Sequence, residues 1–268
     1  MKKRIAALTL ALVLLLALTA CGGKAEDKTI TVGATPAPHC EILEVVKPLM
    51  EKEGYTLEIK EFNDYIIPND SVEEGELDAN YFQHITYMNS FNEEHGTHLV
   101  SVAGIHYEPF GLYAGQVDSL DALEDGAKIA VPNDTTNEAR ALLLLEQEGL
   151  IKLKDGVGLS ATKSDIVENP HNFEIMELDA HLLPTTLQDV AMAVINGNYA
   201  IDAGLKVSDA VAVEAADGAA AEAYVNVLTV KEGNEDKAAV QALVKALKSA
   251  EVKAFIEKTY NGSVVALF

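Results

Sequence analysis

Residues 29–62 read TITVGATPAPHCEILEVVKPLMEKEGYTLEIKEF, and this stretch decides the fold class. Residues 29–33 are largely apolar and β-branched, which predicts a buried strand, and residues 56–62 alternate in polarity, which predicts a second strand. Between them, apolar residues recur at helical spacing from Cys40 until Gly54 ends the pattern. A strand, a helix and a strand in this order favour parallel pairing of the two strands. The folded chain is therefore predicted to open with an α/β unit.

The rest of the chain continues this alternation of strands and helices in two groups. The first group covers about residues 29–113 and the second about residues 116–223, and a strand and two helices are left over at the end. We expect the leftover elements to return to the first group. The prediction is an α/β protein in which residues 29–115 plus 224–268 form lobe 1 and residues 116–223 form lobe 2. A cleft between two such lobes is a common place for a ligand.

Three further segment predictions bear on where the site residues lie. The pattern predicts a helix over residues 82–95 and another over residues 186–195. It predicts a short strand over residues 199–203. These assignments determine which side chains are expected at the ends of strands.

The first twenty-one residues have the form of an export signal. Three basic residues open the chain, an apolar run follows, and residues 18–21 read LTAC. The apolar run is too short for a comfortable membrane span. LTAC resembles a bacterial lipobox, in which the cysteine carries lipid and begins the mature chain. We therefore predict a signal peptide over residues 1–20, a tether over residues 21–28 lipidated at Cys21, and a location on the extracytoplasmic side of the cell membrane; the alternative is an ordinary secretory signal.

The composition is strongly acidic. The formal net charge is −22, and removal of residues 1–20 takes away three positive charges and no negative ones, which leaves −25. Such a surface repels nucleic acid and anionic lipid head groups, so no nucleic-acid partner is expected. If Cys21 carries lipid, Cys40 has no partner for an intrachain disulfide. Stability is then expected to come from an ordinary apolar core.

One motif has the form of an anion site. Residues 131–140 read VPNDTTNEAR, in which a strand ends, a polar turn follows and a helix begins. Free backbone N–H groups at a helix N-terminus favour an anion, and strand ends face the ligand crevice in α/β sheets. Arg140 lies early in this helix, and its planar guanidinium suits bidentate capture of a carboxylate. The alternative is a surface arginine paired with Glu138 or another acid.

Two further groups of residues lie at the ends of predicted strands or beside them. Tyr65, Phe82 and His84 combine aromatic rings with an imidazole, which is suitable for an apolar slot with a few polar contacts. Asn196 and Asn226 carry amides that can donate to a carboxylate and accept from an ammonium group. On the local pattern alone, core packing is the favoured interpretation of Phe82 and a satisfied histidine that of His84. Each asparagine, taken singly, is more often a turn or edge residue.

The sequence contains no recognisable catalytic motif, so an enzyme is not expected and no cofactor is predicted. Cys40 has no evident base partner, which favours a buried structural thiol. No metal site is predicted either. A metal-binding lipoprotein stays as a distant alternative, and its candidate ligands are His39, His84, His95 and His98.

Together these motifs resemble the MetQ/NlpA family of lipoproteins, the solute-binding components of methionine ABC importers. The resemblance covers nearly the whole mature chain. It includes FNDYIIPN at residues 62–69, GELDANYFQH at residues 75–84 and VPND at residues 131–134. Further blocks lie at residues 32–36, 142–145, 149–156, 167–170, 193–196 and 224–226.

The resemblance implies a type II periplasmic-binding-protein fold that clamps L-methionine between two lobes. It implies that Arg140 pairs with the ligand carboxylate and that Asn196 and Asn226 hold the α-carboxylate and α-ammonium groups. It also implies a thioether pocket lined by Tyr65, Phe82 and His84. The partners would be an ABC permease with its ATPase, and the membrane through the N-terminal lipid.

The resemblance leaves the ligand open within a class. D-methionine, a methionine-containing dipeptide or another apolar amino acid are the alternatives. Two positions depart from the family pattern: Cys40 stands where a small unreactive residue is usual, and Thr185 stands where an arginine is expected. Neither is one of the expected ligand residues.

Overall fold

Strands and helices alternate along the chain in the computed structural model, which describes residues 28–215 and 218–268. The strands are β1 (Thr29–Ala34), β2 (Thr56–Glu61), β3 (Ala79–His84), β4 (Leu99–Tyr107), β5 (Gly111–Ala114), β6 (Lys128–Pro132), β7 (Lys152–Leu153), β8 (Ile166–Glu168), β9 (Glu174–Leu178), β10 (Met192–Ile195), β11 (Ala210–Val213), β12 (Asn226–Lys231) and β13 (Val265–Ala266). The helices are α1 (Glu41–Lys52), α2 (Ile67–Glu74), α3 (Ile85–His95), α4 (Thr135–Gln147), α5 (Leu183–Thr186), α6 (Gly197–Asp202), α7 (Gly218–Ala223), α8 (Ala238–Leu247) and α9 (Ala250–Tyr260). The predicted signal peptide and Cys21 lie outside the described residues.

The first sheet has six strands in the order β13-β4-β12-β3-β1-β2. β1 pairs in parallel with β2, as the opening strand-helix-strand unit predicts, and it also pairs in parallel with β3. β12 lies antiparallel between β3 and β4, and β13 lies antiparallel to β4. The C-terminal strands β12 and β13 therefore lie in the first sheet.

The second sheet has five strands in the order β11-β5-β10-β6-β9. β10, β6 and β9 run parallel to one another, and β5 is antiparallel to both β10 and β11. A separate pair, β7 and β8, is antiparallel. Two α/β sheets with a cleft between them confirm the predicted fold class.

The chain passes twice between the two sheets. β5 pairs in the second sheet, although the sequence-based division places its residues in lobe 1. We therefore propose that the first crossing lies between Tyr107 and Gly111, and the second between Val213 and Asn226. The other lobe boundaries stay as proposed from the sequence.

Each sheet buries side chains on both faces. On β1, Ile30, Val32 and Ala34 alternate toward a core that also contains Ile42 and Leu43 of α1. In a strand, every second side chain points to the same face of the sheet. The apolar residues at every second position of β1 therefore all face the helix, which favours a strand here. The opposite face of the first sheet packs in a smaller cluster that contains Phe82 and Tyr87, among other residues. In the second sheet, alternate residues of β10 belong to different clusters.

Three segment predictions need correction. The helix predicted over residues 82–95 begins at Ile85, because the preceding residues extend β3 in the sheet. The helix predicted over residues 186–195 is wrong: α5 ends at Thr186, and β10 lies centrally in the second sheet. The strand predicted over residues 199–203 is also wrong, since α6 occupies most of it. A short apolar run fits a buried strand or a buried helix equally well, and sheet pairing decides between them.

Within residues 28–215 and 218–268, none of the helices combines the length and the apolar character that crossing a bilayer requires.

Candidate functional site

A cavity lies between the two sheets, and its empty space, counted together with its open mouth, is about 330 Å³. All six residues expected from the sequence line it: Tyr65, Phe82, His84, Arg140, Asn196 and Asn226. Six more complete the lining: Gln83, Tyr87, Glu108, Asn137, Gly197 and Asn198. The first sheet, the second sheet and the first crossing all contribute residues, so the cavity is an interlobe site.

The strand register of the first sheet explains why Asn226, His84 and His106 are neighbours at the cleft. Asn226 begins β12, which lies between β3 and β4. It is paired with His84 on β3 and with His106 on β4. Residues far apart in the chain are therefore neighbours across three strands, at the edge where β3 ends and the cleft begins.

Arg140 is buried, with 5% of its surface exposed, and it is held by an acid on another element. Its Nε donates to Glu214 Oε2 at 2.8 Å, and its Nη2 donates to Glu214 Oε1 and to the Glu108 carbonyl oxygen. Its guanidinium carbon lies 4.0 Å from the centre of the Tyr224 ring and 4.6 Å from that of Phe110. Burial opposes the charged form, but the contacts with Glu214 outweigh burial and raise the pKa of Arg140.

Arg140 is therefore not paired with Glu138, the partner that the sequence suggested as an alternative. Glu138 instead accepts a hydrogen bond from the Lys163 backbone N–H at 2.7 Å. Among the described residues, Nη1 of Arg140 has no hydrogen-bond partner, and Arg140 lines the cavity. The arginine has one nitrogen left for a ligand.

Asn137 joins both sheets through its side-chain amide. Asp134 caps α4 by accepting from the Asn137 backbone N–H at 3.0 Å and also accepts from its Nδ2. The Asn137 Oδ1 then accepts from Asn196 Nδ2 at 2.9 Å and from His84 Nε2 at 3.1 Å. This network leaves the buried Asn196 Oδ1 without a hydrogen-bond partner among the described residues. A buried acceptor of this kind is costly unless a ligand satisfies it.

His84 is fixed by its position at the N-terminus of α3. Its Nδ1 accepts from the Tyr87 backbone N–H at 3.0 Å, and its Nε2 therefore carries the proton that it donates to Asn137. Burial is the main cause that lowers the pKa of His84 to about 3. The histidine is thus neutral, and it offers the cavity mainly its ring surface.

Aromatic rings form the other wall of the cavity. Tyr65 lies 5.6 Å from Phe82, 5.5 Å from Tyr87 and 5.0 Å from Tyr199, measured between ring centres. The Tyr65 hydroxyl donates to Asn198 Oδ1 at 2.6 Å, which joins the two lobes. A flexible apolar side chain is well suited to such a wall.

Glu108 lies on the first crossing between the two sheets. His106 Nε2 donates to Glu108 Oε1 at 2.7 Å, and the Asn198 backbone N–H also donates to this carboxylate. A Cβ atom at Gly197 would lie 2.8 Å from Glu108 Oε2, so only glycine permits this close approach. Burial raises the pKa of Glu108, and His39 opposes that effect.

The four histidines of the metal alternative do not converge. His84 is bound to Asn137, His95 stacks on Phe91 with ring centres 4.1 Å apart, and the exposed His98 pairs with Glu73. The fourth, His39, lies elsewhere in the core.

Within the described residues, the cluster most like a metal site is His39, His106 and Glu108, whose nearest ligand atoms lie within 4.8 Å of one another. The 2.7 Å between His106 Nε2 and Glu108 Oε1 is a hydrogen-bond distance. Two ligands of one tetrahedral zinc, each about 2.0 Å from the metal, are about 3.3 Å apart. The cluster is therefore better described as a hydrogen-bonded network.

The two positions that depart from the family pattern lie away from the cavity. Cys40 packs in the core of the first sheet, and burial raises the pKa of its thiol to about 12, so it is an unreactive thiol. Thr185 is exposed, and its hydroxyl donates to the Leu182 carbonyl oxygen at 2.7 Å.

Sequence reasoning missed Glu108, Asn137 and Glu214. Asn137 stands inside the VPNDTTNEAR motif, three residues after its cap, and that spacing was the available signal. Glu214 lies 74 positions from Arg140 and Glu108 lies within a crossing, so no local pattern indicates either role.

Comparison with known proteins gives consistent results. Residues 30–268 match the family model described as NlpA lipoprotein. The D-methionine-binding lipoprotein MetQ of Salmonella typhimurium is 44% identical over 255 residues, which cover 93% of this chain and 93% of that protein. A crystal structure described as a lipoprotein from Ruminococcus gnavus is 58% identical, with a TM-score of 0.88, and the match covers 90% of this chain and 100% of that one.

A solved structure also shows a ligand in a relative. The nutrient-binding protein from Burkholderia cenocepacia, solved bound to methionine, is 45% identical with a TM-score of 0.85; the match covers 89% of this chain and 100% of that one. These relatives are solute-binding proteins and lipoproteins, and they agree with the type II binding-protein fold expected from the sequence. The chain belongs to the NlpA lipoprotein family.

Proposed function

We propose that this protein captures L-methionine in the interlobe cavity and delivers it to the permease of an ABC importer driven by an ATPase. The observation that carries the proposal is the division of the cavity into a polar end and an aromatic wall. The polar end contains the buried guanidinium of Arg140 and the unpartnered acceptor Asn196 Oδ1. A zwitterion with an apolar side chain is complementary to both parts, because buried charges need fixed partners.

The polar residues have proposed roles at the two ends of the zwitterion. The α-carboxylate would accept from Arg140 Nη1 and from the amide nitrogen of Asn226. The α-ammonium would donate to Asn196 Oδ1 and face Glu108. With Arg140 neutralised by Glu214, the Glu108 carboxylate remains to compensate the ammonium charge.

The thioether would lie against Tyr65 and Phe82, with the ring of His84 beside them. Sulfur–aromatic contacts add modest attraction, and the flexible chain adapts to an irregular slot. The relative from Burkholderia cenocepacia, solved with methionine, supports this choice of ligand. The name of the Salmonella typhimurium relative supports D-methionine as the main alternative.

The proposed mechanism is capture by lobe closure, without a chemical step. Among the residues that line the cavity there is no serine, threonine, cysteine or lysine to act as a nucleophile. The one lining histidine, His84, has both ring nitrogens engaged within the protein. A protein with this site is suited to bind, release and bind again.

We further propose that residues 1–20 are removed and that Cys21 carries lipid, so that the lobes lie on the extracytoplasmic side of the cell membrane. The lipobox-like sequence and the membrane lipoproteins among the relatives support this placement. Mass spectrometry of the protein purified from membranes tests it. The expected mature chain begins at residue 21 and carries acyl groups.

Calorimetric titration tests the function. The full chain, purified in mild detergent, is unfolded and refolded to remove retained ligand and is then titrated with L-methionine, D-methionine and a methionine-containing dipeptide. We expect micromolar or tighter binding of L-methionine. Folded, emptied protein that gives no saturable heat with L-methionine would reject the proposed ligand.

Arg140→Ala should weaken binding strongly, but it also leaves Glu214 buried without its partner. The double variant Arg140→Ala/Glu214→Ala removes both charges and should bind equally poorly while folding better. Lys152→Ala, which breaks an exposed pair with Glu168, is the matched control and should bind as the wild type does.

A further inference from the structure

His39 lies directly behind the cavity wall and does not line the cavity. Its side chain is fully buried and connects two residues from distant parts of the chain. Its Nδ1 lies 2.8 Å from the Thr35 hydroxyl, and its Nε2 lies 3.0 Å from Asn226 Oδ1. Asn226 and Glu108 both line the cavity, and of these two the Asn226 amide is the one within hydrogen-bond distance of His39, since Glu108 Oε1 lies 3.5 Å from Nε2.

The surroundings of His39 decide which ring nitrogen carries the proton. Two acceptors face Nε2, namely Asn226 Oδ1 at 3.0 Å and Glu108 Oε1 at 3.5 Å. A proton on Nε2 satisfies them, and the Thr35 hydroxyl can then donate to Nδ1. The rings of Tyr81 and His106 pack against the imidazole, with centres 4.8 and 5.1 Å away. His39 is thus a fixed donor toward Asn226.

This contact fixes which end of the Asn226 amide faces the ligand. The oxygen and nitrogen of an asparagine amide have nearly the same shape, so an unrestrained side chain can present either one. Here the oxygen is held by His39, and the nitrogen has no hydrogen-bond acceptor among the described residues. The side chain therefore offers N–H groups to the cavity, which suit a carboxylate and repel an ammonium group.

We propose that His39 is a positioning residue that holds the Asn226 amide with its N–H groups toward the ligand and so selects a carboxylate at that end of the site. The inference deepens the proposed function and rests on it. His39 acts without touching the ligand. Its removal should cost the affinity for a carboxylate and leave the affinity for the rest of the ligand nearly unchanged.

The test compares two ligands in the emptied full chain. L-methionine carries the carboxylate, and 3-(methylthio)propylamine is the same molecule without it. His39→Leu should lower the affinity for L-methionine about tenfold to a hundredfold, as expected when a hydrogen bond to a charged group is lost. It should change the affinity for the amine less than about threefold. His39→Gln retains a side-chain donor and should restore part of the affinity. Equal loss for both ligands would show a merely structural role and overturn the proposal.

A double-mutant cycle with Asn226→Ala provides the decisive control. If His39 acts through Asn226, His39→Leu should have almost no further effect once the amide is gone. Full additivity of the two effects contradicts the proposal. His171→Leu, an exposed histidine paired with Asp125, is the matched control and should leave both affinities unchanged.

The tautomer of His39 gives a measurement that needs no ligand. Nitrogen-15 spectra of the emptied wild type should show a protonated Nε2 and an unprotonated Nδ1, and the reverse assignment overturns the inference even if methionine binds. If the emptied protein does not bind methionine, the proposed function fails, and so does the selective role of His39. The spectrum would then show whether the amide is still held as described.

Discussion

Asn196 offers the sharpest prediction at the scale of single residues. Its Oδ1 is buried without a partner, while its Nδ2 is held by Asn137. Asn196→Ala removes the acceptor proposed for the α-ammonium and should weaken the binding of L-methionine about tenfold, near the lower end of the range for one hydrogen bond to a charged group.

The same change tests the polarity of the site. It should leave the affinity for 4-(methylthio)butanoate, which is methionine without the ammonium, within about threefold of the wild-type value. Titration of both ligands into wild type and variant measures the difference. A larger loss for the butanoate than for methionine would mean that the two ends of the ligand are assigned the wrong way round.

Buried histidines predict how stability depends on pH. Burial is the main cause that lowers the pKa of His39 to about 4 and those of His84 and His106 to about 3. Unfolded histidines titrate near about 6.5, so between about pH 6.5 and pH 4 the unfolded chain binds more protons than the folded one. Stability is therefore complete above that window and falls as the pH decreases through it, by on the order of 3 kcal/mol for each histidine.

Urea unfolding between about pH 7 and pH 5 measures this slope. His39→Gln should remove about one third of it if the three histidines contribute equally. If the free energy of unfolding does not change between about pH 7 and pH 5, the buried histidines do not cause the predicted loss of stability.

At the residue scale, the sequence located the candidate site but not its internal partners. Arg140 was proposed because it lies in the first turn of a predicted helix, and Asn196 and Asn226 because each lies beside a predicted strand; all three line the cavity. Glu214 was missed, since its contact with Arg140 spans 74 positions. The sequence suggested that the guanidinium of Arg140 is free to bind a carboxylate through two nitrogens. The tertiary fold shows that two of its nitrogens are already bound to Glu214.

At the scale of elements, the N-terminus of α4 links stability to the site. Asp134 caps the helix and also fixes the side chain of Asn137, which in turn holds Asn196 and His84. Asp134→Ala should lower the free energy of unfolding by about 1 kcal/mol, the usual cost of losing a cap. It should also weaken the binding of methionine, because the Asn137 amide that holds Asn196 and His84 is no longer fixed.

Asp134→Ser is the comparison that separates the two effects. Serine can still cap the helix, but its shorter side chain cannot also hold the Asn137 amide. We expect near wild-type stability with reduced affinity, measured by urea unfolding and calorimetry on the same samples. If the serine variant binds methionine as tightly as the wild type, Asp134 acts on the helix alone.

Elements were predicted well where the period of the apolar residues was unambiguous. β1, α1 and β2 follow the strand-helix-strand pattern of residues 29–62. Two segments of the wrong type fell on residues 186–203, where a short apolar run and alanine-rich neighbours fit either type of element. A third error was one of bounds, since the helix predicted from residue 82 begins at Ile85. β10 is a strand because both of its neighbours, β5 and β6, pair with it, and this information is not local.

At the scale of the whole molecule, several hydrogen bonds cross the cleft. The Tyr65 hydroxyl donates to Asn198 Oδ1 at 2.6 Å, the Tyr199 hydroxyl donates to the Asn63 carbonyl oxygen at 3.1 Å, and the Thr135 hydroxyl donates to Glu94 at 3.0 Å. These contacts describe a closed arrangement of the two lobes. Closure around a ligand and opening for release are the expected motions of such a fold.

Asn198→Ala removes one cross-cleft bond and should favour the open arrangement. A single hydrogen bond contributes about 1 kcal/mol, so methionine affinity should fall about fivefold. Small-angle scattering of the emptied variant should give a larger radius of gyration than the closed form, for which about 18 Å is expected from its length. Saturating methionine should bring the radius of gyration back to the closed value. A radius of gyration that changes neither with the substitution nor with the ligand contradicts a closing cleft.

The most direct test of the central claim is a crystal structure of the emptied protein soaked with L-selenomethionine, with anomalous scattering used to locate the selenium. We expect one strong peak in the interlobe cavity, in van der Waals contact, at about 4 Å, with the rings of Tyr65 and Phe82. The carboxylate should then lie at Arg140 and Asn226, and the ammonium at Asn196. A selenium atom at the Arg140 end, or a cavity that stays empty in the soaked crystal, would contradict the account.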